Sequence, residues 1–252
     1  MSPRVIGFVD DSPAATPVVA MAGVLGEVLS ATVEAVHVGE ETGPTARAVA
    51  RAAGVPLRLV SGDPAEAIVA QMTPTDVAAG VLGARRHPLG PRPAGHIALE
   101  VITRVDKLIA VVPPEAQVPL PGSLDRILIP LDGTAASAKA VERLCEVFAR
   151  SGVEILVLHV FDQETTPRFW DQPHYAAEAY GSEFLARFVK ERDAKMTLRA
   201  GTPQHGVLAT ATQEGVDLIS LGWSQSLSPG RADVVRRVLS EAPVPVLLVP
   251  SG

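Results

Sequence analysis

The chain repeats itself, and that repeat limits its possible folds more than any other feature. Arg4-Val5-Ile6-Gly7-Phe8-Val9-Asp10-Asp11-Ser12 returns as Arg126-Ile127-Leu128-Ile129-Pro130-Leu131-Asp132-Gly133-Thr134, 122 residues later. Val36-His37-Val38 and Leu158-His159-Val160 keep that spacing. Gly62-Asp63-Pro64 and Gly201-Thr202-Pro203 lie 139 apart, as do Val81-Leu82-Gly83 and Ser220-Leu221-Gly222. Ile109-Ala110-Val111-Val112-Pro113 and Val246-Leu247-Leu248-Val249-Pro250 lie 137 apart. Five anchors recur in one order, so a small folding unit is used twice. The second copy gains about 17 residues between its second and third strands and loses two after Gly222.

Within each copy, apolar runs of four to six residues rich in Val, Ile and Leu have the length of buried parallel strands. In the second copy these cover Arg126–Leu131, Glu154–Val160, Lys195–Ala200, Asp217–Leu221 and Val244–Val249. Helical stretches such as Ala135–Ser151 and Pro203–Glu214 alternate with them. Strand and helix in alternation predict a mainly parallel sheet covered on both faces, and right-handed crossovers restrict it to doubly wound forms. The expected fold is α/β: two tandem doubly wound domains, each with a five-stranded parallel sheet. Pro113-Pro114, Pro119 and Pro121-Gly122 make a short, stiff connector. A boundary near Gln117 divides the chain into residues 1–117 and 118–252.

Charge and cysteine content exclude several functions. Up to Gln117 there are 9 Lys and Arg against 12 Asp and Glu, and 13 against 16 beyond it. Neither half is a basic lobe that would hold nucleic acid through its phosphates. The single cysteine, Cys145, cannot pair internally, which fits a reducing cytoplasm. It falls in Val141, Leu144, Cys145 and Phe148, a helical i, i+3, i+4, i+7 set, and reads as a core residue. Pro17–Gly26 has the length of a signal-peptide apolar region, but acidic Asp10-Asp11 precede it and its counterpart is the charged stretch Lys139–Arg150. A cytoplasmic protein with no membrane segment is expected. No histidine, cysteine or carboxylate spacing suggests a metal site, and neither a phosphate-loop nor a nucleophile-elbow motif is present.

In a doubly wound sheet, ligands bind beyond the carboxyl ends of the strands where strand order reverses. The loops after the first and fourth strands of each copy are therefore the candidate sites. They read Asp10-Asp11-Ser12 and Gly83-Ala84-Arg85-Arg86 through Gly95-His96 in copy one. Copy two has Asp132-Gly133-Thr134 and Gly222-Trp223-Ser224 through Ala232-Asp233.

These residues resemble the universal stress protein family over essentially the whole chain. In that family the first strand ends in Asp-Gly-Ser/Thr, and the fourth ends in Gly before a Gly-x2-Gly-x9-Gly-Ser/Thr loop. The last strand reads like Ala-Pro-x-Pro-Val-Leu-Val-Val, as in Ala242-Pro243-Val244-Pro245-Val246-Leu247-Leu248-Val249. The resemblance implies a tandem universal stress protein with Rossmann-like, adenine nucleotide α-hydrolase-like domains. It further implies that the aspartate after strand one and the residue ending strand two contact adenosine, while the glycine loop wraps the phosphates. By position these are Asp10, Val38, Gly83, Arg85, Arg86, Gly95 and His96 in copy one. In copy two they are Asp132, Val160, Gly222 and Asp233.

Both loops depart from the family pattern. Arg86 and Gln225 stand at the second glycine, His96 replaces Ser/Thr after Gly95, and Ala232-Asp233 replaces Gly-Ser. Arg85, Arg86, Arg92 and His96 give copy one a basic rim that could hold an anion. Asp233 repels phosphate or, alternatively, serves its own helix N-terminus. The reading is a stress-response protein that acts by partner or ligand binding, with degenerate nucleotide sites and no enzymatic role, weak ATP hydrolysis being left open. The alternative is an ATP or adenine-nucleotide sensor using the N-terminal site, with ATP not expected in copy two.

Two structural expectations complete the reading. The last strands, Leu108–Val112 and Val244–Val249, are apolar edges. They should pair the copies as an intrachain pseudo-dimer, leaving other surfaces for a homodimer. The insertion at 163–187 gathers aromatics, among them Phe169, Trp170, Tyr175, Tyr180 and Phe184, with Phe188 just beyond. It is either a helix packing on its own domain or an interface pad.

Overall fold

The computed structural model describes residues 2–41, 43–84, 96–113, 116–120, 122–131, 135–148, 151–161, 174–188, 194–226 and 231–250. The first half runs β1 (Arg4–Val9), α1 (Ala15–Val28), β2 (Thr32–Val38), α2 (Pro44–Ala52), β3 (Leu57–Val60), α3 (Pro64–Met72), β4 (Val77–Gly83), α4 (His96–Arg104) and β5 (Leu108–Val112). The second runs β6 (Arg126–Pro130), α5 (Ala135–Phe148), β7 (Glu154–Phe161), α6 (His174–Phe188), β8 (Lys195–Ala200), α7 (Pro203–Gln213), β9 (Leu218–Trp223), α8 (Arg231–Glu241) and β10 (Val246–Pro250).

All ten strands form one sheet in the order β3-β2-β1-β4-β5-β10-β9-β6-β7-β8. Pairing inside each half is parallel throughout. Each half is thus the expected doubly wound unit, with strand order reversing beside β1 and β6. The halves meet at the sheet centre, where β5 and β10 pair antiparallel with Val246 opposite Val111 and Leu248 opposite Ile109. Every residue of both strands is buried.

Alternation along the strands assigns residues to two cores, one on each face. Val5, Ile127 and Ile129 join α1 and α5 on one side, with Leu144, Cys145 and Phe148 from α5. Ile6, Phe8 and Leu128 join α3, α4, α7 and α8 on the other. Both cores run through both halves. Cys145 is a buried core residue. The end opposite the candidate sites is tied by charge. Arg4 Nε donates to Asp76 Oδ2 at 2.7 Å and Arg4 Nη1 to Glu34 Oε1 at 2.6 Å. The Arg4 hydrogen bond is the main cause holding the Asp76 carboxyl below the usual carboxylate range.

Sequence and structure differ at element ends. The final strand starts at Val246, not Val244, because Pro243 and Pro245 cannot donate to a ladder. Within the insertion, α6 packs against α5 and β8. Tyr180 sits 5.5 Å from Phe161, ring centre to ring centre, and its burial raises the phenol's pKa. Phe169 and Trp170 lie outside the described residues.

Candidate functional site

Parallel register brings the copy-one candidates to one edge. Val9 stands opposite His37 in the β1–β2 ladder and Phe8 opposite Leu82 in β1–β4. Asp10, Val38 and Gly83 therefore leave three adjacent strands at the same carboxyl end. His96 opens α4; its side chain, with Arg85, Arg86 and Gly95, lies outside the described residues. In copy two, Val160 and Gly222 sit near the ends of β7 and β9, either side of β6. Asp132 also lies outside the described residues.

Histidines brace both first strands. His37 Nδ1 is 2.9 Å from Val9 O, and His159 Nδ1 is 2.7 Å from Leu131 O. A carbonyl only accepts, so Nδ1 carries the proton in each ring. Each imidazole thus holds the backbone just before the first-loop aspartate. His159 also meets Phe161 edge-on, with ring centres 4.5 Å apart. The two histidines stand at equivalent places in the repeat, and both make this carbonyl bond.

Asp10 serves its own turn. Its Oδ1 accepts from the Ser12 amide at 3.0 Å and from the Ser12 hydroxyl at 2.5 Å. Ser12 Oγ in turn accepts from the Ala14 amide at 3.2 Å, at the start of α1. The neighbouring Asp11 reaches the next helix: its Oδ1 accepts from the Ala46 amide at 2.9 Å, in the first turn of α2. Gly43 makes room for it, since a Cβ there would lie 1.2 Å from Asp11 Oδ2. A carboxylate thus bridges the loop after β1 to the start of α2. Asp11 lies in the candidate loop but has no role in the family pattern, which places a glycine there.

In copy two, Asp233 lies in the first turn of α8, not at its cap, and Oδ1 is 3.4 Å from Arg236 Nη1. Negative charge there suits the helix dipole. Ala232 is buried. Val160 is backed by Gly206 of α7, where a Cβ would come within 2.7 Å of Val160 Cγ2. Trp223 follows Gly222 where Ala84 follows Gly83, and it is buried against the first half. Its Nε1 donates to Ile102 O at 2.8 Å, near the end of α4. Among the described residues no group of three or more His, Cys, Asp or Glu is placed to hold a metal ion. Nor is any described helix long and apolar enough to cross a membrane.

Solved structures resemble the whole chain at low identity. A universal stress protein from Archaeoglobus fulgidus DSM 4304 is 16% identical, with 100% of each chain covered and a TM-score of 0.67. A functionally unknown protein from Pseudomonas aeruginosa PAO1 is 9% identical over 99% of this chain and 92% of its own, with a TM-score of 0.69. At these identities the likeness is one of fold. No match is found among curated proteins. Residues 123–250, half of the chain, match the profile of the universal stress protein family. With Asp132-Gly133-Thr134, Gly222 and the proline-flanked last strand inside that span, the chain belongs to the universal stress protein family.

Proposed function

We propose that this protein acts in a stress response by binding a partner, not by catalysis, and that its nucleotide sites are degenerate. The observation that carries this reading is the Asp11 carboxylate, which fills the space above Gly43 and takes the Ala46 amide. A nucleoside placed at Asp10 and Val38 would meet this carboxylate beside the first. Triphosphate charge would be repelled by the pair. In copy two, Asp233 supports the same reading from the first turn of α8. Ser12 Oγ donates to Asp10 and accepts from the Ala14 amide, bonds that close its own turn.

The test is thermal unfolding of the full chain with ATP, ADP or cyclic AMP, and with inorganic triphosphate as the charge control. A ligand that binds only the folded state at a hundred times its Kd stabilises by about 2.7 kcal/mol. The expected result is no nucleotide-specific rise in Tm at millimolar concentrations. A saturable rise with ATP, absent with triphosphate, overturns this reading in favour of a nucleotide sensor using the N-terminal site.

A further inference from the structure

The sheet ends in two outer strands, β3 and β8. Along β8 runs a groove of about 670 Å³, lined by residues 197–202 and by His205, Gly206 and Ala209 of α7. Successive side chains of a strand point to opposite faces. Consecutive β8 residues share one groove only if it faces the strand's edge, where the main chain is presented. Among the described residues β8 pairs with β7 alone, so its outer N–H and C=O groups face this groove.

The charge of the groove selects its occupant. Arg199 Nη2 donates to Gln213 Oε1, a neutral acceptor, while Arg199 Nε is buried with no hydrogen-bond partner. A buried guanidinium donor left unmatched, in a chain of net charge -6, calls for an anionic acceptor. At the groove's other end α7 begins without a side-chain cap, because Thr202 Oγ is bonded to His205 Nδ1 at 2.7 Å. Its first-turn amides add positive potential. On β8, Lys195 Nζ is already paired with Glu154 Oε1 at 2.5 Å, whereas among the described residues Arg199 meets the neutral Gln213. None of Asp132, Val160, Gly222 and Asp233 lines the groove.

We infer that the outer edge of β8 is a docking site for an extended acidic segment of a partner protein. The segment adds as an eleventh strand beside β8 and places a carboxylate on Arg199. This gives a location to the partner binding proposed above and rests on that reading.

The test uses the full chain and a labelled, capped hexapeptide alternating valine and glutamate, against the same peptide with lysine for glutamate. Fluorescence anisotropy should show preferential binding of the glutamate peptide. Hydrogen exchange should slow at residues 195–200 on binding. Arg199→Gln should weaken binding roughly tenfold, the loss of one charge-assisted hydrogen bond. Arg58→Gln, on the opposite outer strand, should leave it unchanged. No binding, equal binding of the lysine peptide, protection elsewhere, or an unaffected Arg199→Gln each overturns the docking site. So does displacement of the peptide by millimolar inorganic phosphate, which would make the groove a small-anion site. Protection of 195–200 by self-association at high protein concentration would assign it to a second copy and overturn the proposal too. A silent nucleotide series with a failed peptide test removes this edge and leaves the partner-binding reading. A specific ATP response removes that reading whatever the peptide does.

Discussion

The two halves share a framework and disagree in their loops. Strand order, crossovers and the histidine bonds to Val9 and Leu131 are the same in both. The helix after the third strand differs: Asp63 caps α3 by accepting from the Ala65 and Glu66 amides, whereas Thr202 gives α7 no side-chain cap. The residue after the strand-four glycine differs as well, buried Ala84 in one half and Trp223 in the other. Only the tryptophan crosses to the opposite half, ending on Ile102 of α4. Packing on both sheet faces tolerates little change. At the carboxyl ends of the strands each copy takes up its own interactions. Among the described residues, the first half caps α3 from the loop before it, and the second carries the end of β9 into the other half.

The largest expected effect therefore falls on Trp223. Replacing it with alanine removes a buried ring and leaves the Ile102 carbonyl, in the last turn of α4, without its indole donor. Trp223→Ala should destabilise the chain by about 3–5 kcal/mol in urea unfolding. Ala84→Gly at the equivalent position should cost about 1 kcal/mol or less. Equal, small losses at both positions would show that Trp223 does not join the halves.

Next comes the Asp11 bridge. In Gly43→Ala the new methyl cannot coexist with the carboxylate, so Asp11 must leave α2. The expected cost is about 1–2 kcal/mol, the range of a lost helix cap. Asp11→Ala should cost about the same, and the double variant little more than either alone. That coupling distinguishes one shared interaction from two independent ones. Additive losses would separate Gly43 from Asp11 and weaken the case for a filled site.

The framework was legible in the sequence and the tryptophan contact across the halves was not. Runs such as Ile127-Leu128-Ile129 alternate between two cores, so their hydrophobicity and length announce buried strands directly. Apolar last strands likewise announced pairing edges, and β5 and β10 do pair. The indole bond to α4 had no local signal, because Trp223 and Ile102 lie far apart in sequence and meet only through the antiparallel centre of the sheet. At the candidate site, strand order points to the loops after β1 and β4, and so to Asp10 and Gly83, while Val38 enters through the family resemblance. The Asp11 bridge depends on how closely α2 approaches the loop after β1, a tertiary distance that spacing does not encode.

The smallest effect tests whether the open α7 terminus differs in energy as well as geometry. Asp63 Oδ1 accepts two first-turn amides, at 3.1 and 3.2 Å. Asp63→Ala should then cost about 1 kcal/mol, as caps of this kind do. Thr202→Ala removes no amide bond and should cost only a few tenths of a kcal/mol, because the Thr202 hydroxyl bonds His205 instead. Thr202→Asp supplies the missing acceptor and should raise stability by about 0.5 kcal/mol or more. It should also weaken binding of the acidic hexapeptide, since the new carboxylate competes for the same first-turn amides and repels an anionic segment at that end of the groove. If Thr202→Asp stabilises α7 without touching peptide affinity, the helix terminus plays no part in selecting acid, and Arg199 alone carries that preference. If Thr202→Ala costs as much as Asp63→Ala, the two helices are capped alike in solution, and this difference between the copies disappears.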